Sequence, residues 1–110
     1  MLHTVTTERR QHKRYFVRGK AVIRTAAGSF AGELVDVGAG GLLLLTRAAV
    51  CVGEPLETRF AIEGYPVEMK AEGRVARTEP GVVGIAFAET PPDLEEVLLW
   101  LEAMLLTAML

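Results

Sequence analysis

Three arginines in the N-terminal part of this 110-residue chain have the type and spacing to bind an anion. Arg10 and Arg14 stand four residues apart in the segment ERRQHKRYFVRG, and Arg9 directly precedes them. A guanidinium group forms forked hydrogen bonds to phosphate oxygens and to guanine edges, and it also stacks on bases. A basic stretch without further support is more typical of a solvated arm.

A second candidate segment, DVGAGGL, begins at Asp36 and follows a predicted strand. The Asp36 carboxylate can accept hydrogen bonds from the N1–H and the exocyclic amine of a guanine. Gly38 and Gly41 would let the backbone approach a ligand closely. The alternative is a tight turn in which the aspartate bonds its own backbone.

These candidates have to be positioned by a sheet, because most of the chain alternates apolar and polar residues. Alternation over short runs separated by glycines and prolines predicts an antiparallel sheet that closes on itself. The predicted strands cover residues 18–25, 30–37, 42–45, 56–62, 67–75 and 82–87. The run 42–45 is uniformly apolar, and we expect it to be buried on both faces. The predicted fold is all-β-dominated: a small six-stranded antiparallel β-barrel with a C-terminal α-helix.

The C-terminal segment changes to helical spacing and predicts a helix over about 91–109, with Thr90 as its cap. One stripe, expected to pack on the barrel, is formed by Leu94, Leu98, Leu101 and Leu105. A second stripe is formed by Leu99, Ala103, Leu106 and Leu110. An exposed apolar stripe is typical of an interface, so we expect a homodimer or docking on a partner here, unless the last turn is frayed.

Length and charge limit the classes of function. We predict a flexible basic arm over 1–15, followed by a single domain over 16–110. The formal net charge of -2 argues against general attraction to nucleic acid or membrane. The chain has no signal-peptide pattern and no apolar run of the ~20 residues that a membrane span needs, so we expect a cytoplasmic protein.

Catalytic and metal-binding patterns are missing from the sequence. His3, His12 and the single cysteine, Cys51, do not have metal-ligand spacing. Cys51 lies among apolar residues, so we expect a buried and unreactive thiol. We therefore predict neither a metal site nor an enzyme.

The two candidate segments, taken in this order, resemble the PilZ family. Its signature is RxxxR ahead of a barrel and a later (D/N)xSxxG; here these are Arg10 to Arg14 and Asp36 to Gly41. The late run GVVGIAF also looks like the family's last strand. The resemblance implies a receptor for cyclic di-GMP in which both arginines hold phosphate and guanine, while Asp36 and Gly41 line the site of the other guanine.

Two positions qualify the resemblance. Gly38 replaces the serine of the second motif, which removes one possible hydrogen bond worth about 0.5–1.5 kcal/mol. Arg9 adds a guanidinium that either helps to hold a second, stacked ligand molecule or is solvated. The expected mechanism is capture of the ligand, which orders the arm and alters a surface that binds a protein effector.

Two other functions remain open from the sequence. A PilZ-like interaction module without nucleotide binding, acting in motility or pilus assembly, is favoured by Gly38 and opposed by the arginine pair. A nucleic-acid-binding barrel would use the basic arm, but such barrels carry aromatic stacking platforms, and aromatic residues make up only 6% of this chain.

Overall fold

The computed structural model describes residues 13–108, which form seven strands and one helix. The elements are β1 (Arg14–Phe16), β2 (Gly19–Thr25), β3 (Gly28–Gly38), β4 (Gly41–Thr46), β5 (Pro55–Ile62), β6 (Met69–Glu79), β7 (Val82–Phe87) and α1 (Leu94–Ala108). The sheet order is β1-β3-β2-β5-β6-β7-β4, and β4 also pairs with β3. That pairing closes β2 to β7 into an antiparallel barrel. The predicted six-stranded barrel with its C-terminal helix is confirmed.

Strand β1 is an addition to this barrel. Strand β2 pairs with β3 as far as Glu33, and β1 then takes the same edge of β3, with Arg14 opposite Gly38 and Phe16 opposite Asp36. Arg14 therefore lies in a short strand, although the sequence places it in the basic arm. Arg9 and Arg10, the other arginines of the predicted site, lie outside the described residues.

The interior of the barrel is filled by the alternating apolar residues of all six strands. Phe60 is among the largest fully buried side chains, and its ring stacks at 6.0 Å on that of Phe87. The other buried apolar side chains of the barrel strands are Ala21, Ile23, Leu34, Val37, Leu42, Leu44, Leu56, Ile62, Met69, Ala71, Val75, Val83 and Ile85. Because every second residue points inward, the opposite face of each strand is free to carry polar and functional groups.

Strand β4 does not have two buried faces, and that prediction is wrong. Leu42 and Leu44 are fully buried, whereas Leu43 is half-buried and Leu45 is 49% exposed. A closed barrel has a single interior, so a strand without a covering layer buries only alternate residues. The outward-facing leucines of this strand are therefore available to line a surface site.

Cys51 is exposed, so the expectation of a buried thiol is also wrong. It lies between β4 and β5, where its backbone N–H donates to the Glu54 carboxylate at 3.0 Å. Its neighbour Val52 is 64% exposed. Connecting segments run over the surface, and an apolar composition did not bring this one into the core.

Helix α1 begins at Leu94, three residues later than predicted, and its N-terminal half packs on the barrel. Leu94 and Val97 are fully buried, but Leu105 is 53% exposed, so the packed face does not extend to the helix end as predicted. Thr90 does not cap the helix, since its hydroxyl donates to the Ala39 carbonyl at 2.7 Å. Among residues 13–108, no helix is long and apolar enough to cross a membrane.

Candidate functional site

An ion pair between Arg14 and Asp36 lies at the centre of the candidate site. The Arg14 Nε and Nη2 both donate to Asp36 Oδ1, at 2.9 Å and 2.5 Å. The Arg14 side chain is 29% exposed and that of Asp36 is 12% exposed. Both bonds use one carboxylate oxygen, so Oδ2 has no hydrogen-bond donor among residues 13–108 and is available to a ligand.

A β-bulge in strand β3 explains why Asp36 faces this site. Leu34 pairs with Leu44 and Asp36 with Leu43, so Val35 is an extra residue without a partner in β4. Leu34 and the residue after Asp36 both point into the core. Regular alternation from Leu34 would have placed the Asp36 carboxylate inside the barrel. The bulge shifts the alternation by one residue and turns Asp36 outward, which is a recognised use of bulges beside functional sites.

A second bulge, in strand β6, does the same for a basic residue. Val75 pairs with Ile85 and Arg77 with Gly84, which leaves Ala76 as the extra residue. Val75 is buried and Arg77 is exposed. The Arg77 side chain lies across Gly84, where a Cβ added to the glycine would come within 3.0 Å of the Arg77 Cγ. Glycine at this position therefore leaves room for the stem of the arginine.

The two bulged strands bring their charged residues into one row across the outside of the barrel. Phe16 pairs with Asp36, Asp36 with Leu43, Leu43 with Gly84, and Gly84 with Arg77. These residues and Arg14 line a cleft of about 400 Å³. The cleft has an apolar floor of Leu43 and Gly84, with charged side chains on both walls.

Of the three glycines in the second motif, Gly38, Gly40 and Gly41, only Gly40 lines the cleft. A Cβ on Gly38 would come within 2.5 Å of the Lys13 carbonyl oxygen. A Cβ on Gly41 would approach the Ile85 carbonyl oxygen even more closely. The structure thus places these two predicted site residues at close strand contacts, where the glycines allow β1 to pair with β3 and β4 with β7.

The opposite face of β1 contacts helix α1. The Tyr15 hydroxyl donates to Glu102 Oε1 at 2.5 Å, and Lys13 Nζ lies 3.5 Å from Glu102 Oε2. The hydrogen bond from Tyr15, followed by the charge of Lys13, lowers the pKa of Glu102. The same hydrogen bond raises the pKa of Tyr15. Strand β1 therefore lies between the cleft and the helix, with a polar contact on each side.

Sequence reasoning identified Arg14 and Asp36, which the structure brings together, but it missed Phe16 and Arg77. Phe16 is 88% exposed at one end of the row. An aromatic two residues after the last arginine of the motif was a usable signal, because residues two apart share a strand face. Arg77 gave no such signal, since its direction depends on the bulge. Residues 13–108 contain no cluster of histidine, cysteine, aspartate and glutamate that could hold a metal ion.

Fold and site together define a small closed β-barrel with an outer cleft that presents a guanidinium, a carboxylate and an exposed aromatic ring. The sequence profile of the PilZ domain matches residues 8–103, and the chain belongs to the PilZ domain family. The family consists in general of cyclic di-GMP receptors. The resemblance stated from the sequence is confirmed.

A solved structure supports the fold. The chain is similar to the crystal structure of the PilZ domain of CeSA from a cellulose-synthesizing bacterium, with 19% sequence identity and a TM-score of 0.57. The similarity covers 69% of this chain and 80% of the other. Among curated proteins, none matches this chain.

Proposed function

We propose that this protein is a non-enzymatic cyclic di-GMP receptor that binds its ligand in the cleft between β1 and β6. The observation that carries the proposal is the Arg14–Asp36 pair, in which the two motifs of the family meet at the edge of a cleft of about 400 Å³. Asp36 Oδ2 accepts from the N1–H and amine of one guanine. Arg14 and Arg10 hold phosphate and guanine, and Arg9 and the backbone around Gly38 and Gly41 complete the site.

Chemical complementarity supports this choice of ligand. Cyclic di-GMP carries two phosphates and two guanines, so it offers acceptors to guanidinium groups and donors to a carboxylate. The ion pair also makes the cleft selective. A ligand with phosphate alone would gain from Arg14 but would lie beside the Asp36 carboxylate, which repels it.

The signal would leave the cleft through strand β1. Arg14 and Phe16 line the cleft, whereas Tyr15 and Lys13 bind Glu102 on helix α1. A ligand that draws Arg14 and the preceding basic arm over the cleft must therefore move the residues that hold the helix. Ordering of a segment by a ligand is a common switching transition.

The surface that responds would be the outer face of α1, through which we propose that the protein forms a homodimer or binds an effector protein. Leu99 is 71% exposed and Leu106 is 59% exposed, and Ala103 lies exposed between them. Large exposed side chains on one helix form an apolar surface of the kind that mediates association. Leu110, the fourth residue of the predicted stripe, lies outside the described residues.

Isothermal titration calorimetry with cyclic di-GMP tests the ligand assignment. The wild type should bind with micromolar or tighter affinity, and Arg14→Ala should abolish saturable binding. Arg24→Ala is the matched control, because Arg24 lies on β2 in an exposed ion pair with Glu57. Absence of heat and of thermal stabilisation for the wild type would reject the receptor function.

The path of the signal has its own test. Tyr15→Phe removes the bond to Glu102 and leaves Arg14 and Asp36 in place. The variant should bind cyclic di-GMP like the wild type but lose any ligand-induced change in hydrogen exchange along α1. An unchanged response in the variant would reject the β1–α1 path and leave the ligand assignment intact.

A further inference from the structure

We propose that Arg77 is a further ligand-binding residue, which reads the O6 and N7 acceptors of a guanine and gives the cleft its selectivity for guanine over adenine. The inference rests on the proposed function and assigns a role to a wall of the cleft that neither motif reaches. Arg77 lies on β6, more than thirty residues beyond the last glycine of the second motif.

The Arg77 side chain lies in the same cleft as Asp36. The bulge at Ala76 turns Arg77 out of the barrel, just as the bulge at Val35 turns out Asp36. Both charged residues thereby enter the same row and the same cleft. Two independent departures from regular pairing that converge on one cleft indicate a built site, since a bulge costs ladder hydrogen bonds.

The Arg77 guanidinium is available to a ligand. Arg77 has neither an ion pair nor a side-chain hydrogen bond to any residue in 13–108. By contrast, Arg14, Arg24, Arg59 and Arg74 all have polar partners. The stem of Arg77 is nevertheless supported, because it lies against Gly84: a Cβ added to this glycine would be 3.0 Å from the Arg77 Cγ. An arginine whose aliphatic stem is already held in place loses less conformational entropy on binding a ligand than one whose whole side chain is mobile.

The two walls of the cleft match the two edges of a guanine. Asp36 and Arg77 are separated by three strand spacings, or about 14 Å between backbones. Leu43 and Gly84 form the apolar floor between them. Guanine offers donors on its Watson–Crick edge and the O6 and N7 acceptors on its other edge, so a carboxylate and a guanidinium suit it. Adenine replaces O6 with an amino donor, which would face the Arg77 guanidinium.

Titration of the wild type and of three variants, Arg77→Ala, Arg77→Lys and Arg59→Ala, with cyclic di-GMP and with cyclic di-AMP tests the inference. Arg77→Ala should weaken cyclic di-GMP binding by about ten- to hundredfold and reduce the preference over cyclic di-AMP, because a bidentate guanidinium–guanine contact is lost. Arg77→Lys keeps the charge but loses the bidentate hydrogen-bonding geometry of the guanidinium. Its affinity should therefore lie between those of Arg77→Ala and the wild type. Arg59→Ala removes an equal charge from a residue outside the cleft and should bind like the wild type.

The outcomes separate this inference from the proposed function. If the wild type binds, Arg14→Ala fails and Arg77→Ala binds normally, the receptor function holds and the role of Arg77 is wrong. Full affinity in Arg77→Lys would show that Arg77 acts through charge alone and would overturn the base-reading role. A wild type that does not bind cyclic di-GMP overturns the proposed function, and this inference with it. Circular dichroism of each variant confirms that the fold is retained.

Discussion

Replacing Gly38 with alanine should release strand β1 while leaving the barrel folded. The new Cβ would lie 2.5 Å from the Lys13 carbonyl oxygen, whereas an ordinary contact begins at 3.4 Å, so the two must separate by about 0.9 Å. Strand β1 is three residues long and, among the strands of residues 13–108, pairs with β3 alone, so it can move away. Overpacking costs about 1–3 kcal/mol, and we expect the lower end of this range for Gly38→Ala.

Gly73→Ala is the comparison that isolates the role of mobility. Its Cβ would lie 2.3 Å from the Ala86 carbonyl oxygen, a similar conflict between two strands of the closed barrel. Neither strand can move away without opening the sheet, so Gly73→Ala should lower the free energy of unfolding by about 3 kcal/mol or more. An alanine without a steric conflict would instead stabilise the chain by about 0.4–1 kcal/mol, so a net loss at either position reports the clash.

Urea denaturation and amide hydrogen exchange together measure these effects. Gly38→Ala should lower the free energy of unfolding by about 1 kcal/mol and remove the protection of the Val17 amide, which donates to the Val35 carbonyl at 3.1 Å. Protection in β5 and β6 should remain. The reasoning is refuted if Val17 keeps its protection, or if Gly38→Ala is as destabilising as Gly73→Ala.

Three further predictions concern Thr58, the contact between Tyr15 and Glu102, and Leu99. Thr58 is fully buried and its Oγ1 has no hydrogen-bond partner within residues 13–108, so Thr58→Val should raise the free energy of unfolding by about 1 kcal/mol in urea denaturation; a less stable variant would contradict this. Glu102 has a lowered pKa, so its contact with Tyr15 should stabilise the fold above pH 4.5 and be lost as the pH falls through the lowered pKa. Because Tyr15 has a raised pKa, the contact should also persist up to pH 10 and be lost above it, and the stability difference between wild type and Tyr15→Phe should be constant between these limits. Leu99→Asp should convert a dimer to a monomer in analytical ultracentrifugation, whereas Val52→Asp, at a residue of comparable exposure off the helix, should not; a monomeric wild type would reject the homodimer.

The barrel could be predicted from the sequence because its evidence is local. Alternation around Phe60 and Val75 marks strands with one buried face, and the helical spacing after Leu94 marks a change of period. The closure of the sheet followed from the number of short strands. These features depend on residue type and separation along the chain, which the sequence states directly.

The walls of the cleft could not be predicted in the same way. The directions of Asp36 and Arg77 depend on bulges at Val35 and Ala76, and a single unpaired residue has no distinctive composition. The pairing of β1 depends on Gly38, which the sequence presented as a missing serine hydroxyl and as room for a ligand, but not as a contact between strands. The structure adds that a side chain there conflicts with Lys13, so a serine would displace β1 besides adding a hydrogen bond.

The most direct test of the central claim is a two-dimensional NMR titration of the ¹⁵N-labelled protein with cyclic di-GMP. We expect saturable shifts of backbone amides along the row that crosses the barrel, at Phe16, Asp36, Leu43, Gly84 and Arg77. No shifts at saturating ligand would contradict the account. So would shifts confined to another surface, such as the groove between Gly32 and Gly81.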